Sequence, residues 1–319
     1  MRRALLVVPL FALGCPEAPP PPPPVDTLDE RAELLAPPAN GVQLVGPEAT
    51  IEGGADKMLC WVPDIVAPDV DTLVKHADGA QGAAGHHLFV FMTLIPRHAG
   101  DVFDCTQVEQ MVTLVPLMSP ITPTSPTFGQ TMPAGYAIRW PANAQLVVQS
   151  HYVNVNPQAV LIRDNVNLNF VDPGEPVIEA AYYTESVVDF SIPPGRHTIT
   201  TTCTMSGDLA ALSLLGHMHE WGKAFSFTQT AAAGGPPAAI YGVDAWTAEY
   251  RDSPPLTVYP AGQPLVFHDG DVLTMTCEYD NDTGGALTFP HEMCTTFGAY
   301  APARPEGFVS CDPTTETID

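Results

Sequence analysis

The chain has 319 residues, enough for two ordinary domains with buried cores, and only 15% of them are charged. Its formal net charge of −24 at pH 7 argues against nucleic acid as a partner, because phosphate would be repelled. With 35 prolines and 25 glycines breaking short runs of Thr, Val and aromatic residues, the composition disfavours a helical protein and points to an all-β one.

Taken in order, the first fifteen residues read as an address. Arg2 and Arg3 form a positive head, and residues 4–13 form an apolar run too short to span a bilayer. Gly14-Cys15 then looks like the end of a bacterial lipoprotein signal, with Cys15 the lipidated first residue of the mature chain; plain secretion is the alternative. Residues 16–24 are Pro-rich and suit a stiff tether, and 16–40 as a whole read as a linker. Residues 25–45 are acidic and Ala/Pro-rich and are expected to form a poorly ordered lead-in; within them, 27–35 is the one window with helical periodicity. The protein is thus expected to be exported, as an outer-membrane-anchored lipoprotein or a periplasmic or extracellular protein. Membrane contact is expected only through a lipid at Cys15. In that oxidising setting the six later cysteines are read as disulfides, although six thiols allow 15 pairings and spacing alone cannot choose.

Strand-like runs follow at residues 42–45, 58–62, 87–92, 145–153 and 166–170. The breaker Asp172-Pro173-Gly174-Glu175-Pro176 marks a domain boundary. Beyond it, 197–202, 210–219, 224–230, 272–279 and 293–300 read as strands, with a turn at 281–285. The expected architecture is two β-sandwich domains in tandem, 41–172 and 173–319.

Four stretches carry the chemistry. In Gly216-His217-Met218-His219, alternation along a strand puts both imidazoles on one face, about 6–7 Å apart, close enough to share a metal. His86 and His87 are adjacent, so they can join His151 on one metal only if the backbone kinks, for which Gly82 and Gly85 supply freedom. Met293 adds a thioether to His217 and His219. A thioether is a soft ligand suited to Cu(I), and imidazole serves both copper oxidation states, so this set points to a redox-cycling copper. His98 and His197 read as surface groups, and His76 and His268 as polar-loop residues without a role. His291 is expected in the surroundings of the ligands or facing solvent, and Met205, Met218 and Met275 in the core.

In their order, His86-His87, Gln149-Ser150-His151-Tyr152, His217-Met218-His219 with Gly222, and Glu292-Met293-Cys294 resemble the copper type II, ascorbate-dependent monooxygenases. The likeness spans about residues 45–315 and implies two jelly-roll-like sandwiches facing each other across a cleft. It further implies an electron-transfer copper on His86, His87 and His151, and on His217, His219 and Met293 a second copper that meets dioxygen and substrate. Gln149 would lie on the path between the two. The implied disulfides are Cys60–Cys105, Cys203–Cys311 and Cys277–Cys294. Two departures stand out. The peptide-hydroxylating members carry an arginine where this chain has Leu215 and a tyrosine where it has Phe297, so a glycine-extended peptide is not the expected substrate.

The expected function is hydroxylation of a C–H bond in a small organic molecule, more apolar or differently anchored than such a peptide, with dioxygen, two coppers per chain and a reductant such as ascorbate. The rival readings are a copper-binding or delivery lipoprotein without turnover, a zinc hydrolase built on histidines, and a structural adhesin.

Overall fold

A computed structural model describes residues 27–318, apart from 107, 112, 119–126, 188, 252, 261, 290 and 312–314. The signal-like segment, Cys15 and the Pro-rich tether lie outside the described residues. Almost everything described is strand; the helical pieces are single turns, Val108–Met111 and Ala248–Arg251. The chain is all-β, as its composition implies.

In the first half, an antiparallel sheet runs in the order Val102–Asp104, Asp56–Trp61, Leu146–Val153, Gly85–Thr93, Leu114–Met118. It packs on one end of a 12-stranded sheet. Alternation along each strand decides what goes where. Leu88, Val90, Leu146 and Val148 point inward to meet Leu44, Val74, Trp140, Val166 and Leu168 of the large sheet. The intervening positions, among them Phe91 and Val147, form a separate cluster on the outer face around Cys60–Cys105.

The second half repeats the plan. A sheet ordered Ala238–Val243, Gly222–Thr230, Val272–Asn281, Gly195–Thr204, Thr315–Ile318 covers the other end of the large sheet. Between them lie Tyr183, Ile199, Leu214, Phe225, Phe227, Phe267, Met275 and Tyr300. The large sheet is continuous between the halves because Tyr136–Trp140 runs parallel to Ile178–Val187, with Tyr136 beside Ile178. Residues 172–173, where the sequence suggests a boundary, sit in the turn between Asn165–Phe170 and Ile178–Val187.

Three disulfides close: Cys60–Cys105, Cys203–Cys311 and Cys277–Cys294. Each typically contributes about 2–4 kcal/mol by restricting the unfolded chain. They point to an oxidising, exported environment. Among the described residues, no helix is long and apolar enough to cross a membrane.

Three local expectations are corrected. Residues 27–35 are not helical, and the described part of the lead-in is not loose. Leu28–Asp29 pairs in parallel with Val160–Ile162. Beyond it, buried Asn165 and Asn167 take over the backbone. Asn165 accepts from Leu35 N at 2.9 Å and donates to Glu33 O at 3.0 Å, while Asn167 donates to Ala36 O at 2.9 Å. Buried amides that must be satisfied hold this segment extended, and Pro37 further disfavours a helical conformation at Ala36. His76 lies in the strand Thr72–Ala80 rather than in a loop, its ring 2.6 Å from Asp78 Oδ1. The run 210–219 is two strands, Leu209–Ala211 and Ser213–His217, broken at Leu212.

Candidate metal centre

The first histidine group sits on the outer face of the first five-stranded sheet. Register puts His151 directly opposite His87 and then Tyr152 opposite Gly85. His86 is therefore the extra residue of a β-bulge, which is the kink the His-His pair requires. A side chain at Gly85 would collide with Gln81 and the carbonyl of Gly82, so the approach to the bulge needs glycine.

The bulge turns both rings of the pair toward His151. Nδ1 of His86 lies 3.0 Å from Nδ1 of His151, and the three residues offer ligand atoms all within 4.8 Å of one another. Nitrogens about 2.0–2.1 Å from one ion at near-tetrahedral angles stand about 3.3 Å apart, so His86 and His151 are already near ligand spacing, while the widest separation in the group must close for all three to bind one ion. The other nitrogen of His151, Nε2, is 2.6 Å from Asp56 Oδ1. An ionised carboxylate only accepts, so Nε2 carries the proton and Nδ1 presents its lone pair to the group. That hydrogen bond is the main reason the Asp56 carboxyl falls to about 2.

Burial pushes His87 well below the ordinary histidine range, reinforced by His151, His86, His217 and Arg251. Burial also lowers His151, against the pull of Asp56. Neutral imidazoles are the form that binds metal.

The second group lies on the face of the large sheet turned toward the first half. Along Cys294–Tyr300, Ala299 packs into the first core cluster, and Phe297 and Thr295 continue that face outward. The antiparallel partner Ser213–His217 sets Leu215 opposite Phe297 and His217 opposite Thr295. A side chain at Gly216 would run into the Phe225 ring. The strand ends at His217, two residues short of the expected run, and His219 lies just beyond it; the two rings still meet, with centroids 5.1 Å apart.

His219 and Met293 lie just beyond the paired residues of the two strands, and both present their backbone N–H groups to the same oxygen of Glu292. Glu292 secures this frayed end. Its fully buried carboxylate accepts the backbone N–H groups of His219 at 2.8 Å, Trp221 at 2.9 Å and Met293 at 3.1 Å. Burial nevertheless pushes that carboxyl up to about 7, with the three N–H bonds opposing the rise. Tyr279 donates to Met293 O at 2.6 Å, and Cys294 is tied to Cys277. Nδ1 of His219 is 3.1 Å from His291 O, so it donates there and leaves Nε2 for a ligand. His291 itself is exposed.

A third element lies between the two groups. Arg251, at the end of the single-turn helix Ala248–Arg251, contacts Glu220 through Nη1, and its Nη2 is 3.4 Å from Asp56 Oδ2. Gln149, expected between the groups, is buried, and its amide donates to Met111 Sδ at 3.2 Å and toward Cys105 Sγ at 3.8 Å. Its hydrogen bonds do not reach either histidine group. Met205, Met218 and Met275 are core residues as expected.

Sequence reasoning missed Asp56, Glu220, Arg251 and the role of Glu292. Glu220 and Glu292 are visible as neighbours of the quoted motifs. Nothing local marks Asp56 or Arg251, which meet across 195 positions of sequence.

No protein-family model matches this chain, and no curated protein matches it. A solved structure of infectious bursal disease virus, Gx strain, overlaps 81% of this chain and 70% of its own, at 9% identity and a TM-score of 0.23. An overlap that remote carries no argument about fold or function.

Proposed function

We propose that the chain is a copper-dependent monooxygenase that hydroxylates a C–H bond of a small, apolar molecule. The observation that carries this reading is the convergence of His86, His87 and His151, with ligand atoms within 4.8 Å. The second set, His217 and His219 with Met293 beside them through their shared partner Glu292, supports it, because two imidazoles and a thioether suit copper in both oxidation states. Both donor sets fit copper. When bound, the metal supplies one-electron chemistry toward dioxygen and substrate, with the two electrons drawn from a small reductant such as ascorbate; the products are the alcohol and water.

The chain's own residues supply the rest. Asp56 holds the proton of His151 on Nε2, and the His291 carbonyl holds that of His219 on Nδ1, so each ring keeps a lone pair for ligation. Half-buried Phe297, backed by buried Leu215, would offer the substrate an apolar surface beside His217 in place of an ionic anchor. Export fits the three disulfides, and lipidation at Cys15 with residues 16–24 as a tether would hold the enzyme at a membrane surface.

The test is metal analysis of protein purified without added metal and then loaded with copper, followed by oxygen uptake with ascorbate. Two coppers per chain and reductant-dependent uptake that rises with an apolar hydroxylatable substrate support the reading. Copper bound without uptake would mark a carrier instead, and zinc-supported hydrolysis would overturn the copper assignment.

A further inference from the structure

We propose that Asp56, Arg251 and Glu220 form a bridge that couples the two pockets, so that ligation in one sets ligand geometry in the other. The inference rests on the metal-centre reading and adds to it a residue, Arg251, that belongs to neither ligand set.

The bridge is continuous. His151 Nε2 meets Asp56 Oδ1 at 2.6 Å, Asp56 Oδ2 meets Arg251 Nη2 at 3.4 Å, and Arg251 Nη1 meets Glu220, the residue after His219. Each end is attached to its own pocket. Asp56 lies on Asp56–Trp61, which pairs directly with the strand bearing His151. Arg251 is tied to the other pocket, since Trp246 Nε1 donates to His219 O at 3.0 Å and the Trp246 and Tyr250 rings stack edge to face.

An isolated ion pair at the surface contributes little. This one differs because its carboxylate also orients a ligand imidazole, and its half-buried guanidinium spans two carboxylates with a planar fork. Carboxylates that accept from a metal-bound histidine typically change metal affinity about 10–100-fold when removed. Asp56 is thus a positioning residue for His151. Arg251 transmits displacement of the Glu220 loop to Asp56, and by reciprocity the reverse.

The test is a double-mutant cycle read by metal affinity and spectra. Cu(I) affinity of the first pocket is measured by chelator competition in the full chain and in His219→Ala, each with Arg251 intact and as Arg251→Gln. The Cu(II) electron paramagnetic resonance spectrum is recorded alongside. Emptying the second pocket is expected to change first-pocket affinity about fivefold or more when Arg251 is present and by less than twofold when it is Gln. Asp56→Asn should shift the first-pocket spectrum and weaken its copper about 10–100-fold. Arg251→Lys keeps the charge but not the fork; it should retain part of the coupling, and it carries the test if Arg251→Gln folds poorly. Coupling undiminished in Arg251→Gln, or undiminished in Arg251→Lys where that variant carries the test, or Asp56→Asn with unchanged spectrum and affinity, overturns the bridge while leaving the metal centre standing. Absence of copper from both pockets of the unaltered chain overturns both.

Discussion

Leu215 and Phe297 stand directly opposite each other across the ladder joining Ser213–His217 to Cys294–Tyr300, one alternation inward from His217 and Thr295. They are the two positions at which peptide-hydroxylating members of the resembled family carry arginine and tyrosine. Two departures 82 positions apart in sequence are therefore cross-strand partners on the face that carries His217, Leu215 buried and Phe297 half-buried, and on the proposed reading they border the substrate. Reintroducing polarity there should act on substrate rather than on metal. Phe297→Tyr, alone and with Leu215→Arg, is expected to lower kcat/KM for an apolar substrate tenfold or more, about 1.4 kcal/mol, with copper content unchanged. Unchanged discrimination between apolar and carboxylate-bearing substrates would remove the patch from the substrate site.

Met293 separates the copper reading from a zinc one. Met293→Ile conserves volume at a half-buried position, so the thermal transition should move by less than about 1.5 kcal/mol equivalent. Copper bound under reducing conditions should fall from two per chain to one, with near-complete loss of oxygen uptake. Full retention of uptake would mean that the thioether is not a ligand.

Glu292 satisfies three backbone N–H groups with two oxygens. In Glu292→Gln one oxygen becomes an NH2 group, which must face a buried N–H. The expected cost is about 1–3 kcal/mol, concentrated in the loop between the two strands. Hydrogen exchange should show lost protection at His219, Trp221 and Met293 N–H, while the strand bearing His151 keeps its own.

Glu185 should make the fold sensitive to pH. It is fully buried, accepts from Thr201 Oγ1 at 2.7 Å, and has its other oxygen 3.2 Å from Cys203 Sγ. Cys203 is disulfide-bonded and has no S–H, so that contact is a hydrogen bond only when Glu185 is protonated. Burial pushes this carboxyl up to about 8 from an ordinary 4.5. Its contribution to stability is full below about pH 4.5 and is lost as pH rises toward 8, on the order of 5 kcal/mol in all. Denaturant titrations at pH 5 and pH 8.5 should show this loss, and Glu185→Gln should flatten it by raising stability at pH 8.5. An equal pH slope in the variant would assign the sensitivity elsewhere, for instance to Asp164, which burial raises to about 6.

Much was legible before any coordinates because the signals are local. Alternation puts Val147, Gln149, His151 and Val153 on one face of a strand, and Leu146–Val153 is that strand, buried on both faces apart from its last residue. The His-His pair demands a kink, and a bulge at His86 supplies it. The helical periodicity of residues 27–35 misled because Asn165 and Asn167, some 130 positions away, bind that segment's backbone directly.

From residue types and their spacing alone came the all-β class, the alternation of faces, the glycines at tight approaches and the chemistry available to each motif, since each depends on neighbours a few positions away. Tertiary structure decided what register and sheet order bring together: His86 against His151, Leu215 against Phe297, and Arg251 between Asp56 and Glu220. Strand pairing joins residues across any length of chain. A side chain's partners in such a sheet are therefore set by which strands lie side by side, and no short window of sequence contains that information.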